Sequence, residues 1–158
     1  MPDLFTHILV AWTVGTILSF RWKQFDGPNI SLIMVGSVIP DISKIMLLFN
    51  YFHDNVHEII APIHLPIGSL VVAGIFSLFF QDKKMTLFLM SLGIATHYIL
   101  DLMLINSTGG IYLLFPLSWN MWTLNLISNT DYNITIIALI IALMVYLFKN
   151  RIKNYKEI

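Results

Sequence analysis

His97 and Asp101 lie four residues apart in an apolar run, so on a helix they share one face about a turn from each other. An imidazole nitrogen and a carboxylate oxygen at that spacing can chelate one divalent ion. Asp41 and Lys44, three apart, fall in a second apolar run. His7 stands near the start of another, and His64 just before a fourth. Charged groups in membrane-length apolar runs are costly, by about 2.5–3.5 kcal/mol each on insertion scales, and need a reason. His7, Asp41, His64, His97 and Asp101 make a sulfur-free set of imidazoles and carboxylates. That set suits zinc best, and also manganese, iron or nickel. It exceeds the three or four protein ligands of a catalytic zinc. Either one member is a general base or orients a ligand, or two metals share the pocket.

Plainer readings compete. His97 with Asp101 is also an ordinary i,i+4 hydrogen-bonded pair, and Asp41 with Lys44 can simply neutralise each other. His7 and His64 near an interface would be solvated. The stretch from His53 to Glu58 reads as a polar external loop, although His53 and His57 could add a ligand. Gly36, Gly68, Gly74 and Gly93 read as close-packing positions between helices. The metal reading gains from joint placement, because unrelated structural roles do not require four segments to bring polar groups to one depth.

The elements that must supply this placement are membrane helices. The chain is 57% hydrophobic and only 11% charged, with mean hydropathy +0.77. A soluble domain is about 25% charged, so too few charges remain to solvate a globular surface. Five apolar stretches stand out, at residues 4–20, 30–49, 66–80, 85–105 and 133–148. A spanning helix takes about 17–25 residues, so the third and fifth are short. Residues 149–158 form a basic tail, and the chain reads as a single polytopic membrane domain whose last span is an anchor. Residues 106–132 are apolar and aromatic, but Gly109, Gly110 and Pro116 oppose one continuous helix. A re-entrant or interfacial segment carrying Trp119 and Trp122 is expected there. The N-terminus lacks a basic leader and a cleavage site, so the first run reads as a retained span.

Eight of the nine basic residues fall after the first, third and fifth stretches: Arg21, Lys23, Lys83, Lys84, Lys149, Arg151, Lys153 and Lys156. Asp3, Asp54, Glu58 and Asp131 fall on the other side. The positive-inside rule then predicts a multi-pass cell-membrane protein, its N-terminus outside and C-terminus cytoplasmic. At a rise of 1.5 Å per residue, His7 and Asp101 lie about 5 Å below the outer surface, and Asp41 and His97 about 12 Å. His64 lies near that surface. Zero net charge argues against nucleic acid as a partner, and the absence of cysteine excludes thiolate sites.

The same residues carry a resemblance. Thr6-His7-Ile8-Leu9, Gly36-Ser37-Val38-Ile39-Pro40-Asp41-Ile42, His64, His97-Tyr98-Ile99-Leu100-Asp101-Leu102, Gly109-Gly110 and Phe115-Pro116-Leu117 resemble the YdjM-like family of membrane-bound metal-dependent hydrolases. The resemblance runs from Asp3 to about Ser118. The Pro-Asp and His-x-x-x-Asp elements, in order and spacing, are its specific part. The family often shows a His-Arg pair before a Thr-His-Ser element, where this chain reads His57-Glu58 and Ile63-His64-Leu65. The resemblance implies a divalent-metal hydrolase in the inner membrane.

Three functions are expected in order. The first is hydrolysis of an ester or phosphoester, with a lipid or lipid-linked substrate at the outer leaflet. His7, Asp41, His97 and Asp101 would hold metal, His64 would be a further ligand or the base, and Lys44 would neutralise a phosphate or oxyanion. The others are a metal or proton-coupled transporter and a non-catalytic structural bundle.

Overall fold

The computed structural model describes residues 4–42, 61–103, 110–126 and 133–156. Among these the chain forms five α-helices and no strand: α1 (Leu4–Ser19), α2 (Gly27–Val38), α3 (Pro66–Ser77), α4 (Lys83–Met103) and α5 (Asn133–Lys156). Two 3₁₀ turns, Ile39–Asp41 and Ala61–His64, carry polar residues of the site.

Local chemistry sets most boundaries. Asp26 caps α2 by accepting a hydrogen bond from the Asn29 N–H at 3.0 Å, with Pro28 in the first turn, where a missing N–H costs nothing. Asp82 caps α4 in the same way, accepting from the Met85 N–H at 3.0 Å. Pro66 opens α3. Pro40 ends α2: without an N–H it cannot continue the α-helical ladder, and the backbone tightens into the 3₁₀ turn. The second apolar stretch is therefore not one helix from Ile30 through Asp41, a correction to the sequence reading. The rest of that stretch, 43–49, lies outside the described residues.

Burial is inverted relative to a water-soluble bundle. The buried residues of α1 are Thr6, His7, Ala11, Thr13, Gly15 and Thr16, whereas Phe5, Ile17 and Phe20 are exposed. In α5 only Ala138 and Ala142 are buried, and Ile136, Ile137, Leu139, Ile140, Leu143, Met144 and Leu147 face outward. Small and polar groups face inward and large apolar ones outward, as a lipid solvent demands. A continuous apolar exterior of this kind has no place in water.

Two helices are long and apolar enough to cross a bilayer, Lys83–Met103 and Asn133–Ile152. With 16 and 12 residues, α1 and α3 extend about 24 and 18 Å, against a hydrocarbon core of about 30 Å.

The helix ends are ordered by their contacts. The Thr6 and Thr135 hydroxyls meet at 2.8 Å, joining the starts of α1 and α5, and the Phe20 and Phe148 rings meet edge to face at 5.5 Å, joining their far ends. His7 at the start of α1 lies against Asp101 near the end of α4, so these helices run antiparallel. The polar cluster thus occupies one end of the bundle. Arg21, Lys23, Lys83, Lys84, Lys149 and Arg151 belong to the other.

Residues 110–126 form no helix, in keeping with the expected break at Gly110 and Pro116. Ile111 and Trp122 pair in an antiparallel bridge, and the Leu124 and Leu126 N–H groups donate to the Leu102 and Met103 carbonyls at 2.8 and 2.9 Å. These bonds satisfy carbonyls that the end of α4 would otherwise leave open. Ile111 joins the core formed by Ile39, Ala73, Met90, Ile94 and Tyr98.

Candidate metal centre

The α2–α4 contact builds the site. A Cβ on Gly36 would lie 2.2 Å from the Met90 carbonyl oxygen, and one on Gly93 would lie 2.0 Å from that of Ile33. The two backbones therefore touch, and only glycine permits it. This crossing sets the end of α2 beside the last turns of α4, so that the Ser37 carbonyl faces His97 and Asp41 overlooks His97. Gly68 plays a similar part under the second 3₁₀ turn, where a Cβ would lie 2.0 Å from the Pro62 carbonyl oxygen. Gly74 does not: nothing lies within 4 Å of its would-be Cβ, so the packing role expected of it is not seen.

His7, Asp41, His64, His97 and Asp101 come together from four parts of the chain. His97 Nε2 lies 3.3 Å from Asp101 Oδ2 and 3.6 Å from Asp41 Oδ1, and His7 Nε2 lies 3.5 Å from Asp101 Oδ1. His64 Nδ1 lies 3.6 Å from Asp41 Oδ1, and its Nε2 lies 3.8 Å from Asp101 Oδ2. The His7 and His97 rings stack with centroids 3.9 Å apart. His7, His97 and Asp101 are fully buried, whereas the His64 side chain is 25% exposed, so access to the cluster runs past His64.

Backbone carbonyls orient two of the imidazoles. His97 Nδ1 is 2.8 Å from the Ser37 oxygen and His64 Nδ1 is 3.0 Å from the Pro40 oxygen. A carbonyl only accepts, so each Nδ1 carries the hydrogen and each Nε2 turns its lone pair inward, the arrangement typical of metal-binding histidine. His64 is further held through its backbone. The Tyr98 hydroxyl donates to the His64 carbonyl at 2.9 Å, and Ser69 donates to the Ile63 carbonyl at 2.6 Å. The two hydroxyls are themselves 2.9 Å apart. Nothing in sequence spacing signals this clamp, apart from a tyrosine beside His97 whose hydroxyl must find a partner if buried.

The imidazole–carboxylate distances decide between hydrogen bonding and ligation. At 3.3–3.8 Å they are longer than a good N–H···O bond, which peaks near 2.9–3.0 Å. Both nitrogens of His7, Nε2 of His97 and both oxygens of Asp101 are buried without a hydrogen-bond partner. An unsatisfied buried polar atom costs about 1–3 kcal/mol, so several together rival the whole stability of a domain, about 5–15 kcal/mol. A cation relieves the conflict. Two ligands held at about 2.0–2.1 Å in tetrahedral geometry are roughly 3.3–3.4 Å apart, close to the separations seen. The donor set fits a divalent ion. Two groups have ligand atoms mutually within 4.8 Å: His7, His97 and Asp101, and Asp41, His64 and His97.

Lys44, His53 and His57 lie outside the described residues. Among the described hydroxyls nearer the basic end, Thr13, Ser19 and Ser77 bond carbonyls of their own helices, Leu9, Thr16 and Gly74, at 2.8, 2.6 and 2.7 Å. They line no polar path from the cluster.

Compared with known families, residues 1–157 match the family model described as YdjM inner membrane protein. No curated protein and no solved structure matches the chain.

Proposed function

The chain belongs to the YdjM inner membrane protein family, and from the buried cluster we propose that it is a membrane-embedded, metal-dependent hydrolase. One observation carries the reading: His7, His97 and Asp101 are fully buried at ligand-like separations, with nitrogens and oxygens that no protein group satisfies. His7, Asp41, His97 and Asp101 hold the ion. His64, the one partly exposed member, either completes the ligand set or takes a proton from the attacking water. A divalent ion supplies Lewis-acid polarisation and nucleophilic water near neutral pH. Lys44, three residues beyond Asp41, contributes positive charge for a phosphate or oxyanion. The substrate is an ester or phosphoester of a lipid or lipid-linked molecule. The cluster's position at the end of the bundle away from the basic residues supports an outer-leaflet site, a multi-pass topology, an external N-terminus and a cytoplasmic C-terminus.

Elemental analysis of purified, metal-replete protein tests the premise. Stoichiometric metal in the wild type, lost in Asp41→Ala and His97→Ala, eliminates a purely structural bundle, and near-zero metal in the wild type eliminates the hydrolase. Turnover of a phosphoester by detergent-solubilised protein supports hydrolysis. Metal flux into proteoliposomes without turnover would assign the cluster to transport instead.

A further inference from the structure

The cluster is divided in a way that one ion does not explain. Asp101 turns Oδ1 toward His7 at 3.5 Å and Oδ2 toward His97 at 3.3 Å and His64 at 3.8 Å. The five donors do not fall into one mutually close group. They fall into two triads that share His97, and His7 is in one while Asp41 and His64 are in the other. Ligands on opposite sides of a single octahedral ion are only about 4.2 Å apart at bonds of about 2.1 Å, so a preformed one-ion sphere would gather all five within the 4.8 Å that defines each triad. His97 cannot serve both triads as a ligand, because its Nδ1 hydrogen is committed to the Ser37 carbonyl and Nε2 has one lone pair. The remaining member able to serve two centres is the Asp101 carboxylate, whose two oxygens face different histidines.

The geometry points to a two-ion centre bridged by Asp101, with His7 on one ion and Asp41, His64 and His97 on the other, and to a phosphoester as its substrate. This rests on the metal-centre reading above and deepens it. Two divalent ions outweigh the charge of Asp41 and Asp101, leaving a net positive pocket that an anionic phosphoester complements and a neutral ester does not. Paired ions also suit phosphoester chemistry, where one clamps the attacking and the other the leaving oxygen. His7 is then the residue that distinguishes one ion from two, and the absence of any protein partner for its Nδ1 leaves its ring free to turn toward an ion.

The test uses the full chain in detergent, stripped by chelator and reloaded with manganese by equilibrium dialysis. Two ions per chain are expected in the wild type and one in His7→Ala. Because His7→Ala could also unfold, the electron paramagnetic resonance spectrum of the wild type is read independently: an exchange-coupled manganese pair is expected, and inorganic phosphate should change it. One ion per chain with an uncoupled spectrum overturns the bridge and leaves the mononuclear hydrolase standing, with Asp101 gripping one ion by both oxygens. No bound ion overturns both readings. A coupled pair whose spectrum phosphate does not alter overturns the phosphoester assignment.

Discussion

Gly93→Ala should break the metal centre without touching a ligand. The added methyl would lie 2.0 Å from the Ile33 carbonyl oxygen, 2.7 Å from the Ser37 nitrogen and 3.0 Å from the Gly36 carbonyl carbon. All three are backbone atoms of α2, so no side chain can swing aside. Relief to ordinary contact at 3.4 Å requires α2 and α4 to separate by about 1.4 Å. His97 travels with α4 and Ser37 with α2, so their 2.8 Å hydrogen bond stretches toward 4 Å, beyond useful range. The His97 ring loses the carbonyl that fixes its tautomer, and Asp41 moves off Nε2. Losing a partner of this kind typically costs 10–100-fold in metal affinity, and the overpacking itself costs about 1–3 kcal/mol of stability. Competition with a chelating dye gives the affinity, and circular dichroism in detergent checks that the variant folds. Gly74→Ala is the matched control, since nothing lies within 4 Å of its methyl. A folded Gly93→Ala that binds metal as tightly as wild type and Gly74→Ala would refute the claim that the α2–α4 contact positions the site.

Tyr98→Phe removes the hydroxyl that donates to the His64 carbonyl and meets Ser69; a stability loss of about 1 kcal/mol and weaker metal binding are expected. In a His64→Ala background the same change should leave metal binding unaltered, and a full additive effect on affinity would assign Tyr98 to packing alone. For topology, the chain contains no cysteine, so single cysteines report without background. Leu117→Cys, 91% exposed near the cluster end, should react with an impermeant maleimide on intact cells, whereas Trp22→Cys at the basic end should react only after permeabilisation; the opposite pattern would invert the orientation.

Helices were readable in the sequence by type more than by extent. Residues 85–105 and 133–148 stood out because long apolar runs leave a helix as the only hydrogen-bonded form available in lipid, and α4 and α5 fill them. The shorter helices exposed the weakness of hydropathy as a ruler. After Ser77 the chain continues Leu78-Phe79-Phe80, as apolar as the helix before it, yet α3 stops at Ser77 and the chain turns. Pro40 was the stronger signal and was available: a residue without an N–H inside an apolar run marks a change of backbone form. That change sets the Ser37 and Pro40 carbonyls beside His97 and His64. The break serves the site.

The site itself was legible where one-dimensional spacing suffices. His97 and Asp101 share a helix face by periodicity, and alternate crossing brings His7, Asp41 and His64 toward the same end from other segments. What spacing cannot supply is which backbones touch. Gly36, Gly68, Gly74 and Gly93 are indistinguishable in composition, yet three meet carbonyl oxygens at 2.0–2.2 Å and the fourth meets nothing. Ser69 and Tyr98 are 29 residues apart and align only once α3 is packed on α4. The division of labour has a physical basis. Ligands are recognisable because charge in lipid is costly wherever it occurs, so each one stands out singly. The groups that aim them are carbonyls, small residues and hydroxyls, which cost little alone and acquire meaning only from the helix they touch. A scan of this family for function would therefore find His7, Asp41, His64, His97 and Asp101 first. It would overlook Gly36, Gly93, Ser37 and Tyr98, on whose placement the separations of 3.3–3.8 Å depend.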